Sequence, residues 1–325
     1  MSNSLIEVKD LKVYFKQKSP KLLSFKPGIL KAVDQVSFSI EKGKTFGLVG
    51  ESGSGKSTIG KAILRYHKPT GGGIFYGGAE IGAMGEKELL PYRKKMQSVF
   101  QDPYSSLDPS HTVQDIICEP MEIHKLYTPK ERKERAKELI RVVGLKEQDL
   151  LKYPHEFSGG QCQRIGIARA LIIEPKMIIC DEPVSALDVS IQAQVVNLLK
   201  SLQKEMGLSL IFIAHDLAVV KHISDRVLVM YLGNAMELGS DEEVYNNTKH
   251  PYTKALMSAV PIPDPKLERN KSIELLEGEL PSPINPPSGC VFRTRCLKAD
   301  ENCAKQKPPF TSQNNSHFVA CLKVL

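Results

Sequence analysis

The stretch Gly50-Glu51-Ser52-Gly53-Ser54-Gly55-Lys56-Ser57-Thr58 decides the fold, because it reads Gly-x-x-x-x-Gly-Lys-Ser directly after the short apolar run Phe46-Gly47-Leu48-Val49. A strand that runs into such a loop is a P-loop. Gly50, Gly53 and Gly55 let the backbone turn tightly and aim successive amide N–H groups inward, where side chains would block a chain of phosphates. Residues 57–64 carry apolar side chains at Ile59, Ile63 and Leu64, so the loop opens a helix whose N-terminus brings roughly half a positive charge to the anion. Lys56 is then expected to reach the terminal phosphates and Ser57 to put its hydroxyl on Mg²⁺. A flexible Gly/Ser-rich loop could fit the pattern, but the strand before it and the helix after it argue otherwise.

The 325 residues allow one large or two ordinary domains, with room for a sizeable core and a small appendage. No apolar run approaches the ~18 residues that span a bilayer. The start Met1-Ser2-Asn3-Ser4-Leu5 lacks the regions of a signal peptide, so the chain is expected to stay in the cytosol. The net charge of +7 does not choose a partner, because both signs are mixed throughout and a solvated basic surface accounts for it. Cys118, Cys162 and Cys180 stand alone, whereas Cys290, Cys296, Cys303 and Cys321 cluster near the end. In a reducing compartment such a cluster points to a metal site rather than to disulfides.

Residues 6–9 and 35–40 alternate apolar with polar, as half-buried antiparallel strands do. Between them, residues 16–31 carry five lysines, two prolines and no acid, and read as a long loop. Tyr14 and Phe15 just before it could stack on an adenine ring or pack in the core. After the P-loop helix come a turn at 69–73, a short strand at 74–76 and then a strand that starts at 96 and is broken by Pro103. Gln101, at the end of the latter before Pro103, could coordinate Mg²⁺ or orient water. The pattern turns helical over 105–144, with Ala136, Leu139, Ile140 and Val143 on one face. At Phe157-Ser158-Gly159-Gly160-Gln161 a second helix begins: Ser158 suits the N-cap, and Gly159 and Gly160 bare its first amides, giving a second anion site about a hundred residues from the first. The apolar strand 177–180 ends in Asp181-Glu182, which are placed to hold Mg²⁺ and to accept a proton from an attacking water. Another buried strand, 208–214, ends at His215, where strand ends meet ligand and favour a phosphate contact.

Together these motifs resemble, in order and over the whole chain, the ATPase subunits of ABC transporters. The set is the P-loop, Gln101, the signature 157–161, the carboxylates Asp181 and Glu182, Ala186-Leu187-Asp188, and His215. Phe157 stands where that signature more commonly has Leu, another apolar residue. Within the family, 99–109, 182–190, 250–256 and 278–287 are similar to the dipeptide and oligopeptide importers, particularly the second of their two ATPase subunits. The resemblance implies an α/β P-loop NTPase of the ABC type: a RecA-like mixed-sheet core, an antiparallel β subdomain and a helical subdomain at about 103–172, all within residues 1–261, then a small irregular C-terminal extension at 262–325. It also implies a head-to-tail dimer with a related but different ATPase chain, each ATP lying between one P-loop and the other chain's signature. By residue it assigns Phe15 to adenine stacking with Tyr14 as the fallback, Gln101 to Mg²⁺ and water, Glu182 to general base, Asp188 to a cross-dimer contact and His215 to the γ-phosphate. Two membrane permeases at the cytoplasmic face, and through them an extracytoplasmic peptide-binding protein, complete the expected assembly. Nickel or short glycosides are rival cargoes. A soluble ABC ATPase acting on nucleic acid or ribosomes is the other class, but such chains usually carry two nucleotide domains or a long coiled-coil insertion, and neither is present.

The tail is rich in proline, and its cysteines are spaced Cys-x₅-Cys-x₆-Cys-x₁₇-Cys, without the close pairs common in structural zinc sites. Four thiolates suit a [4Fe–4S] cluster as well as zinc, four unliganded thiols are the remaining reading, and the peptide-importer resemblance around 289–296 favours the cluster. Arg293, Arg295 and Lys298 are expected to offset its negative charge.

Overall fold

The computed structural model describes residues 4–17, 28–261, 264–271, 276–314 and 316–324. Among them the strands are, in chain order, β1 (Ser4–Gln17), β2 (Gly28–Glu41), β3 (Thr45–Val49), β4 (Gly71–Tyr76), β5 (Ala79–Glu80), β6 (Met96–Val99), β7 (Met177–Asp181), β8 (Ser209–Ile213), β9 (Arg226–Tyr231), β10 (Asn234–Ser240), β11 (Thr311–Ser312) and β12 (Phe318–Val319). The chain forms two compact units, one drawn from segments 1–40, 46–83 and 215–325, the other from 41–45 and 84–214.

The first unit holds an antiparallel sheet in the order β2-β1-β4-β5. In β1, Ile6 and Val8 are buried opposite Tyr76 and Ile74 of β4. A register shift follows between Lys9 and Lys12, where Asp10 takes the left-handed backbone at φ +44. Beyond it the buried positions are odd-numbered, Leu11 and Val13, because one extra residue flips every later side chain to the other face. β1 and β2 are longer than the alternating runs that suggest them, so both ends of the Lys-rich segment are strand rather than loop. Antiparallel pairing satisfies their backbones while the polar side chains stay in water. Residues 18–27 of that segment lie outside the described residues.

The same unit carries β3 and β9 side by side and parallel, Val49 opposite Val229, with β10 antiparallel to β9, β12 to β10 and β11 to β12. The result is a mixed sheet. β3 is buried throughout, as a parallel strand covered on both faces must be. The C-terminal tail thus takes part in the sheet, since Phe318 and Val319 pair with Leu238 and Glu237.

The second unit has three parallel strands, β6, β7 and β8, with Val99 opposite Cys180 and Asp181 opposite Ile213. The helical stretch expected over 105–144 divides into helices Val113–Ile123 and Pro129–Val142, preceded by turns. Thr112 and Thr128 start them, each exchanging hydrogen bonds with the acid three residues on, Asp115 and Glu131. Ala136, Ile140 and Val143 are buried on the expected face. Helix Gly159–Leu171 follows, and helix Val189–Met206 joins β7 to β8.

Candidate functional site

The P-loop leaves β3 at Gly50, whose φ is +144; a Cβ there would stand 2.1 Å from the carbonyl oxygen of Met230. Gly55, at φ +103, is equally committed, because a Cβ would meet the carbonyl of Ala32 at 2.2 Å. No other residue fits these positions. Helix Lys56–Ile63 then begins with no acid in its first turn, and such an N-terminus favours an anion. Lys56 is buried, and its Nζ donates to the carbonyls of Gly50 at 2.8 Å and Glu51 at 2.9 Å. The ammonium therefore sits inside the loop that motif reading assigns to phosphates. Ser54 is buried, Ser52 and Gly53 are exposed, and Ser57 and Thr58 are half-buried at the helix start.

One residue of this loop has partners that sequence reading missed. The Glu51 N–H donates to the Tyr252 hydroxyl at 3.0 Å, and its carboxylate accepts from Arg295 at 2.7 Å. That carboxylate's hydrogen bond, against the opposing effect of burial, raises the Arg295 pKa above its ordinary value. Burial pushes the Tyr252 hydroxyl up, so it stays neutral. Nothing in the spacing of Glu51, Tyr252 and Arg295 signals their meeting, because contacts across some two hundred residues leave no periodic trace.

Of the two aromatic residues, Phe15 packs edge-on against His67 with centroids 5.1 Å apart, and Tyr14 donates its hydroxyl to Asp34. Burial works to raise Asp34, but the Tyr14 hydrogen bond and the ammonium groups of Lys307 and Lys31 outweigh it and leave the carboxyl lowered. Tyr14 is thus engaged elsewhere, while Phe15 lies half-buried. His215 is exposed at the start of the segment that leads into helix Leu217–Ile223.

The second unit brings Gln101 and Glu182 together: the Gln101 amide donates to the Glu182 carboxylate at 3.0 Å. Asp181 is the last residue of β7, and Glu182 turns out of the strand at φ +48, a left-handed conformation uncommon outside glycine. Its N–H is tied to the Ile213 carbonyl at 2.9 Å, and its carbonyl accepts from Ser185. This fixed, unfavourable turn aims the carboxylate. Ser158 takes the N-cap position of helix Gly159–Leu171, and Gln161 accepts from its N–H at 3.0 Å. Gly160 has no room for a Cβ, which would lie 2.3 Å from Ile191. Tyr104 braces the same turn by donating to the Phe157 carbonyl. Asp188 is exposed at the N-cap of helix Val189–Met206.

Cys290, Cys296, Cys303 and Cys321, all free thiols, line one small cavity with His250 and Phe292. Burial pushes the Cys290 thiol up to about 11 and raises Cys296 as well. Among the described residues no group of three or more His, Cys, Asp or Glu side chains gathers closely enough to hold a single metal ion. The expectation that Arg295 offsets charge there is corrected, because its guanidinium is taken by Glu51. Arg293 does line the cavity, donating through Nε to the Ser288 carbonyl.

Comparison with known proteins agrees with this geometry. Residues 33–185 match the family described as ABC transporter, and residues 236–303 match the oligopeptide/dipeptide transporter C-terminal region. The oligopeptide transport ATP-binding protein OppF of Haemophilus influenzae is 71% identical over 99% of this chain and 97% of its own length. The protein of that name from Escherichia coli is 61% identical over 98% and 96%. A dimeric ATP-binding cassette solved in a post-hydrolysis state with ADP and Pi aligns with a TM-score of 0.64 and 29% identity, over 72% of this chain and 98% of that one. No helix of the described residues is long and apolar enough to cross a membrane. The chain belongs to the ABC transporter ATPases, in the branch of the oligopeptide-importer ATP-binding proteins.

Proposed function

We propose that this chain hydrolyses ATP to power import of di- and oligopeptides through membrane permeases at the cytoplasmic face. The observation that carries the hydrolytic part is the Gln101–Glu182 contact at the end of β7, in a chain whose P-loop encloses Lys56. In this reading ATP lies with its adenine on Phe15 and its phosphates on the amides of 50–58, with Lys56 neutralising the terminal phosphates. Ser57, Gln101 and Asp181 hold Mg²⁺. Glu182 takes the proton of the attacking water, which Gln101 orients, and His215 contacts the γ-phosphate. Ser158, Gly159, Gly160, Gln161 and Asp188 serve the ATP bound to a second ATPase chain, a paralogue. ATP closes that pair and hydrolysis opens it. Residues 1–261 are the nucleotide-binding domain and 262–325 the extension. The four-cysteine cavity takes a [4Fe–4S] cluster, which would crosslink a segment too small to hold itself.

The peptide cargo rests on likeness to relatives named for oligopeptide transport. Reconstitution with the permeases and the peptide-binding protein of its transporter tests it. Oligopeptide should raise the ATPase rate and appear inside the vesicles. Stimulation by nickel or by short glycosides alone would overturn the peptide assignment.

A further inference from the structure

Glu51 is the sole acid of the stretch 50–58, and it puts a carboxylate beside a loop built for a polyphosphate. Left unpaired, that charge would repel ATP at short range. The structure pairs it with Arg295, whose side chain is 9% exposed against 27% for Glu51, so solvent does little to screen the contact. The backbone of Glu51 is fixed separately, by its N–H on Tyr252 and by Lys56 on its carbonyl. Arg295 itself is anchored by packing. It follows Phe292, which meets Tyr231 and Tyr252 with ring centroids 5.3 and 5.2 Å away, and its guanidinium lies 5.9 Å from the Tyr231 centroid. A residue between two cysteines of the extension is therefore held against the second residue of the P-loop.

We propose that Arg295 is a positioning residue for nucleotide binding: by neutralising Glu51 it makes the P-loop receptive to ATP and ties nucleotide affinity to the C-terminal extension. The proposal rests on the reading of 50–58 as the ATP site. Wild-type protein binding the Mg²⁺ complex of a non-hydrolysable ATP analogue serves as the control that keeps the two apart.

The test is calorimetric binding of that analogue to the full chain carrying Arg295→Met, Glu51→Gln or both. Methionine keeps much of the apolar stem that packs on Tyr231. Arg295→Met should weaken binding about 10-fold at low salt, and less as ionic strength rises. Adding Glu51→Gln should restore affinity to within about 2-fold of wild type, because the unpaired carboxylate is gone. Arg295→Lys should bind nearer to wild type than Arg295→Met. A purely structural role would not give rescue by deletion of the opposing charge. Wild-type affinity in Arg295→Met, or equally weak binding in the double variant, would overturn the proposal.

Discussion

At the scale of single residues, the P-loop glycines, Lys56, Ser57, Asp181 and Glu182 stand out as candidates in the sequence because each chemistry demands one residue type at one spacing, and the structure shows the tight loop around Lys56 that the glycines permit. What could not be read is how those residues are held. The left-handed backbone of Glu182, its amide contact with Gln101, and the Tyr252 and Arg295 bonds to Glu51 are long-range pairings that leave no local pattern. The buried trio of Glu237, His250 and His317 was missed for the same reason; Glu237 accepts from the Lys249 and His250 N–H groups and meets His317 at 2.7 Å. Lys56→Ala deletes a charged donor from the loop. It should weaken Mg-ATP binding roughly 10- to 100-fold in an equilibrium titration, and unchanged affinity would remove the lysine from the phosphate site.

At the scale of elements, strand and helix positions followed from apolar periodicity, while their ends did not, because pairing and capping extended or divided them. β1 and β2 grew into lysine-rich sequence, and one helical stretch became two at Thr128-Pro129. The extension read as irregular because its structure is made by docking: two short strands and the Phe292 ring, rather than a core of its own. Phe292→Ala should cost about 3–4 kcal/mol in thermal or denaturant unfolding and make the tail protease-sensitive. The tail is also fastened by Glu243. Burial raises its pKa, but bonds from the Ser316 hydroxyl, the Ser240 N–H and Asn314 prevail and lower it to about 2. A carboxyl lowered on folding stabilises above its unfolded value near 4.3 and loses that contribution as pH falls toward 2. Acidification from pH 5 to 3 should therefore loosen the tail by about 1 kcal/mol, allowing for solvent screening, and Glu243→Gln should flatten that dependence in a pH series of unfolding curves. For the cysteines, anaerobically purified protein should be brown with about four irons and four sulfides per chain, and Cys296→Ser should bleach it. Stoichiometric zinc without iron would reject the cluster.

At the scale of the whole molecule, one chain carries two glycine-bearing helix starts, at 50–58 and at 157–161, and the account gives them to different ATP molecules in a pair of chains. Ser158→Arg should leave this chain's own ATP binding intact yet abolish hydrolysis in an equimolar mixture with the partner ATPase. Full activity of a demonstrably monomeric sample would sink the shared-site arrangement. The central claim is that Glu182, held by Gln101, is the base of ATP hydrolysis, and the steady-state ATPase rate of Glu182→Gln, measured with bound nucleotide on the same sample, tests it most directly. The account expects Mg-ATP to remain bound while turnover falls about 10²–10⁴-fold; turnover near the wild-type rate would contradict it.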